Sequence, residues 1–164
     1  MGFFDEKAMN RLYERFILNY YKREMPWTNA SAKHISWALD SDSDMSHLPQ
    51  MRSDVFLDAG DRVLIIDAKY YTHAMQANYG KRTIHSGNLY QMFTYVKNTE
   101  AFLRGTGRTV SGMLLYAKTD ENDLPDDEYR MDGNLICVRT LDLDREFERV
   151  TADLRDISYR YLLG

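Results

Sequence analysis

Residues 62–70 read RVLIIDAKY: four consecutive apolar residues, then Asp67, Ala68, Lys69 and Tyr70. The run is short and β-branched, which predicts a strand. Residues two apart on a strand share a face. Asp67 and Lys69 therefore point one way, and Leu64, Ile66 and Ala68 the other. A charged pair closing an apolar strand is costly unless it has partners or work to do. Just upstream, residues 51–57 (MRSDVFL) form a second strand-like run. Asp58-Ala59-Gly60-Asp61 lies between the two and carries turn chemistry. The pair is expected to close as a hairpin that sets Asp54 beside Asp67.

Working outward, Met9, Leu12, Tyr13, Phe16, Ile17 and Tyr20 recur at helical spacing over residues 5–23, with Pro26 beyond. Residues 33–40 alternate Ile35, Trp37 and Leu39 with polar or small neighbours, as a strand would. Ser41-Asp42-Ser43-Asp44 is a polar loop. A second helix over 86–103 has Leu89, Met92, Phe93 and Val96 as its apolar stripe. Strands follow at 110–117 and 134–140, separated by an acidic loop. Asp144 is placed to cap a last helix whose face holds Phe147, Val150, Leu154, Ile157 and Tyr161. The order α-β-β-β-α-β-β-α predicts an α/β fold, a mixed central sheet of about five strands flanked by helices. The whole chain, 1–164, reads as a single domain.

An apolar fraction of 44% and a charged fraction of 28% are ordinary for a globular protein. One cysteine, Cys137, excludes an internal disulfide, sits in an apolar run as a buried thiol would, and suits the cytoplasm. No stretch is long and apolar enough to span a bilayer, and the N-terminus lacks the apolar core of a signal peptide. With one cysteine and four scattered histidines a zinc site is not expected. Gly105-Thr106-Gly107 lacks the lysine of a phosphate loop, so any nucleotide hydrolysis must come from a partner. The net charge of −4 opposes non-specific DNA affinity and suggests that a partner delivers DNA.

Two carboxylates and one ammonium are the set that phosphodiester hydrolysis requires. Asp54 and Asp67 offer hard oxygens for Mg²⁺ or Mn²⁺. Such an ion lowers the pKa of a bound water and offsets charge on the phosphate. Lys69 would orient or deprotonate the attacking water, or stabilise the transition state.

The Asp54…Asp67-x-Lys69 hairpin resembles the PD-(D/E)xK nuclease core. The flanking text, LPQMRSDVFL, RVLIIDAKYY and SGNLYQMFTYV in that order, resembles the McrC nuclease family of McrBC-type modified-cytosine restriction systems. Ser53 stands where the superfamily name has proline, a position without a ligand role. The resemblance implies a metal-dependent DNA endonuclease in a restriction system for antiviral defence. Its implied metal set is Asp54, Asp67 and Ala68, the last able to offer only its main-chain carbonyl. Glu14 matches the acid of the first core helix, which helps order metal-bound water. Gln91 and Tyr95 match a QxxxY pattern whose helix flank faces the site and contacts DNA. Lys81 and Arg82, in the loop before that helix, suit phosphate contacts. The resemblance also implies a McrB-like AAA+ GTPase partner. Family members have an N-terminal region that docks on this motor, whereas this chain begins at the nuclease helix. Either it is an excised domain or docking lies elsewhere. One such site cuts one strand, so a double-strand break would need two copies, as in a dimer. The other reading is a catalytically inactive assembly or DNA-binding module of a defence complex that keeps the fold. The intact charged set argues against it.

Overall fold

The computed structural model describes residues 3–71, 75–78, 81–118, 120 and 124–164, and the side chains of all of these except 3, 4, 75–78, 81 and 82. The chain runs α1 (Phe3–Glu24), β1 (His34–Ile35), β2 (Met51–Arg52), β3 (Val55–Asp58), β4 (Arg62–Lys69), β5 (Met75–Asn78), β6 (Lys81–Ile84), α2 (Ser86–Phe102), β7 (Thr109–Ala117), β8 (Asp127–Met131), β9 (Asn134–Leu141) and α3 (Phe147–Ser158). A single 3₁₀ turn follows α1, and a widened helical turn over Tyr159–Leu163 extends α3.

The central sheet has five strands in the order β3-β4-β7-β9-β8. β3 and β4 are the antiparallel hairpin, with Val55 opposite Ile66 and Asp58 opposite Val63. β4 pairs parallel with β7, and β7 parallel with β9, while β8 returns antiparallel on the far edge. Helices cover both faces of the parallel strands, which is why the run through β4 is apolar on both sides. Leu64, Ile66 and Ala68 pack towards α1 and α3, joined by Tyr13, Ile17, Tyr21 and Leu154. Val63 and Ile65 pack towards α2, against Met92, Tyr95 and Val96. Each such aliphatic side chain contributes about 1.5–3 kcal/mol when fully buried. Tyr13 and Tyr21 place their hydroxyls on the carbonyls of Leu115 and Leu154, at 3.2 and 2.6 Å, so neither is buried without a partner. Gly112 of β7 is where α2 seats closest: a side chain there would collide with Met92 and Val96.

Several expectations are corrected. The alternation at 33–40 gives only the two-residue β1, which pairs with β2 outside the central sheet. Beyond Ile35 the chain leaves strand geometry: Ala38 donates to the side chain of Asn98, and the Trp37 indole to the carbonyl of Pro49. The fifth central strand is instead β8, within the stretch expected to be an acidic loop. The run 51–57 breaks at Ser53 and Asp54 into β2 and β3. The outer edge of β3 is met by Ser31, which exchanges both backbone hydrogen bonds with Phe56. Lys81 and Arg82 lie on β6, paired with β5, rather than in a loop. Leu12 is 59% exposed and does not join the face of α1, where Tyr21 takes its place. α3 begins after Glu146, not at Asp144, because the Asp142 carboxylate captures the Asp144 amide and ends that turn first. Phe147 is 64% exposed, while Val150, Leu154 and Tyr161 are buried as expected. Cys137 is buried and free. Among the described residues no helix is long and apolar enough to cross a membrane.

Candidate active site

The end of β4 emerges between α1 and α2 with Asp67 and Lys69 on the α2 side, because that is where their odd-numbered neighbours Val63 and Ile65 pack. Asp54 precedes Val55, the last register partner in the hairpin, so extending the register sets it opposite Asp67. Asp67 is buried, 3% exposed. Its carboxylate lies within hydrogen-bonding reach of Asp54. The second oxygen of Asp54 is fixed by the Ala68 amide at 2.8 Å.

Burial, the hydrogen-bonded Asp67 and its charge together hold the Asp54 carboxyl well above the usual carboxylate range, and Glu14 adds to the shift. Two carboxylates this close cannot both carry full charge without a proton or a cation between them. Lys69 Nζ stands 2.7 Å from Oδ2 of Asp67, an ion pair with poor hydrogen-bond alignment, since that buried oxygen accepts no directed bond. Burial alone would lower the Lys69 pKa, but the charge and closeness of Asp67 outweigh it and raise it. The site is therefore a carboxylate pair with one directed lone-pair position open and a charged ammonium alongside. Among the described residues no group of three or more His, Cys, Asp or Glu side chains forms a complete cage. A pair of carboxylates plus the Ala68 carbonyl fits an ion that keeps much of its water, as Mg²⁺ does.

Glu14 reaches the same place from α1. It is half-buried, and its carboxyl is raised by burial and then by the charge of Asp67, with Lys69 acting in the opposite direction. Gln91 accepts from Lys69 Nζ at 3.3 Å and donates to the Tyr95 hydroxyl at 2.8 Å, which donates in turn to the Arg52 carbonyl at 3.3 Å. Tyr95 is buried behind Gln91 rather than displayed at a surface. The side chains of Lys81 and Arg82, like His73 and Tyr79, lie outside the described residues.

Two residues of the site escaped the sequence reading. Asn10 accepts from the Tyr70 amide at 2.7 Å and donates to Glu14 at 2.7 Å, clipping α1 to the end of β4. Asn88 is buried and bonds the Tyr116 hydroxyl at 2.9 Å, with the Tyr71 hydroxyl donating to it at 3.4 Å. Neither has a signal in one sequence, since the Tyr70 amide, Tyr71 and Tyr116 that they hold are distant along the chain. Asn10→Ala is expected to cost about 1–2 kcal/mol, because it leaves the Tyr70 amide without its acceptor. Urea unfolding that matches the parent would show that this clip contributes nothing.

Residues 7–117 match the family described as McrBC 5-methylcytosine restriction system component. The chain is 31% identical over 160 residues to the type IV methyl-directed restriction enzyme EcoKMcrBC of Escherichia coli K12, covering 96% of this chain and 44% of that protein. The fold is similar, with a TM-score of 0.61 and 20% identity, to a chain in the assembly of Thermococcus gammatolerans McrB AAA+ hexamers with bound McrC. That similarity covers 91% of this chain and 33% of the other. The chain thus spans less than half the length of either relative.

Proposed function

Because the chain belongs to the McrBC 5-methylcytosine restriction system component family, we propose that it is a PD-(D/E)xK nuclease domain that hydrolyses DNA with a divalent metal, in a restriction complex driven by an AAA+, GTP-hydrolysing partner. The observation that carries this reading is the convergence of Asp54, Asp67 and Lys69 at the end of β4. Asp54, Asp67 and the Ala68 carbonyl would hold Mg²⁺ or Mn²⁺, which supplies an acidified water and charge neutralisation at the phosphate. The Lys69 ammonium orients the attacking water and offsets charge developing on the phosphate oxygens. Gln91, held by Tyr95, fixes the direction of that ammonium. Glu14, held by Asn10, accepts a hydrogen bond from water on the open side. Neither the fold nor these residues selects a base, so sequence or methylation choice belongs to other parts of the complex.

A supercoiled plasmid with Mg²⁺ or Mn²⁺ tests the activity. Open circles are expected before linear product, because one site cuts one strand, and chelation by EDTA should stop the reaction. Methylated and unmethylated duplexes should bind the isolated chain equally and weakly at physiological salt. A clear preference would reveal a reader within these residues, and no cutting with either metal would favour the inactive-module reading.

A further inference from the structure

We propose that the carboxylate pair is adjoined by an arginine cleft, lined by Arg11, Arg15 and Arg52, that grips the sugar–phosphate backbone of DNA beside the bond to be cut. This deepens the nuclease reading and rests on it. The cleft has a volume of about 410 Å³, and Glu14 and Asp54 form its inner wall. Arg11 and Arg15 stand four residues apart on α1, so their side chains lie one above the other on one helix flank. Arg52 comes from β2, two residues before Asp54, and its Nε is anchored on the Ala32 carbonyl at 3.3 Å. All three residues are exposed. Among the described residues neither Arg15 nor Arg52 has a carboxylate partner, although two carboxylates line the same cleft.

A larger cavity of about 470 Å³ at the other end of the sheet also gathers arginines, Arg62, Arg108, Arg130 and Arg160. There Arg108 is paired with Asp58 and Arg160 with Glu128, and the cavity lies away from the carboxylate pair, at the starts of β4, β7 and β9. In the cleft beside the site Arg11 shares the charge of Glu14, while Arg15 and Arg52 keep theirs for a ligand. Guanidinium groups bind phosphate oxygens through two parallel donors, and three of them on two elements follow a charged backbone without reading bases. This arrangement lets a chain of net charge −4 present a locally positive path to its own site.

The test is equilibrium binding of the whole chain to a short labelled duplex, with Ca²⁺ present, from about 50 to about 200 mM salt. Arg11→Gln/Arg15→Gln is expected to weaken binding about tenfold or more and to lower the salt slope by about two. Arg11→Lys/Arg15→Lys should retain most of the slope. The distant pair Arg62→Gln/Arg130→Gln, in the cavity at the other end of the sheet, should bind with the parental slope. An unchanged slope in the glutamine variant, or an equal fall in the distant pair, would overturn the cleft. So would loss of binding to an acidic peptide while duplex binding holds. A parent chain that binds with the expected slope yet cuts nothing would sink the nuclease reading and leave the cleft standing. A chain that cuts while the glutamine variant keeps its slope would sink the cleft alone.

Discussion

Asp67→Asn is expected to lower plasmid cleavage about a thousandfold or more while leaving the fold intact. Metal-assisted stabilisation of a phosphoryl transition state amounts to several kcal/mol, and each 1.36 kcal/mol is a factor of ten in rate. The amide keeps the volume of the carboxylate at a buried position and removes the charge that raises Asp54. Repulsion within the pair is thereby relieved, and Asp54 keeps its bond from the Ala68 amide. Against this stands the half-buried Lys69, which loses its ion pair but keeps Gln91. The two effects oppose each other, so the thermal midpoint should hold or rise slightly. Asparagine is the better probe than alanine, which would leave a void beside an unpaired ammonium. Cleavage at the parental rate would remove Asp67 from the mechanism. A collapse in stability would show that the ion pair, not the carboxylate pair, is what the residue is for.

Gly112→Val is expected to destabilise the domain by about 3 kcal/mol through overpacking. A Cβ on Gly112 would stand 2.5 Å from the sulfur and 2.8 Å from Cγ of Met92, and 2.8 Å from a methyl of Val96. Met92 can swing, but Val96 is stiff at χ1 and buried, so α2 itself must shift. A loss of that size lowers the melting temperature by roughly 6–12 °C in a domain of this length. Gly112→Ala should cost less, and adding Val96→Ala should recover part of the loss. Because α2 carries Gln91 and Tyr95, cleavage should fall further than the folded fraction explains. A valine variant as stable as the parent would mean that the helix does not seat so closely.

What the sequence made legible follows physical cause. The hairpin could be read because its strands are apolar and its turn chemistry is local, and Asp54, Asp67 and Lys69 inherit their placement from period-two geometry. β8 was illegible because all but the last of its residues, Asp127 to Arg130, are exposed, and without a buried face there is no alternation to see. The over-long strand at 33–40 shows the converse error. Its alternation is real, but beyond Ile35 the Ala38 amide turns to the Asn98 side chain of α2 in place of a strand partner. Glu14 and Gln91 were found only through family resemblance, and Asn10 not at all. Arg52 of the cleft is far in sequence from Arg11 and Arg15, and only the packing of α1 against the hairpin brings it to them.

The two margins of the sheet bear on how two such domains can stand together. One margin is already occupied, since Ser31 uses both free backbone groups of Phe56 on β3. The other, β8, is short and carries Asp127, Glu128 and Arg130 in the open, the kind of rim that resists a foreign strand. Merging sheets edge to edge into a continuous ribbon is therefore disfavoured on both sides. On the proposed nuclease reading, bringing two such centres to opposite strands of a duplex would fall to helix and loop surfaces, or to an external scaffold that sets their spacing.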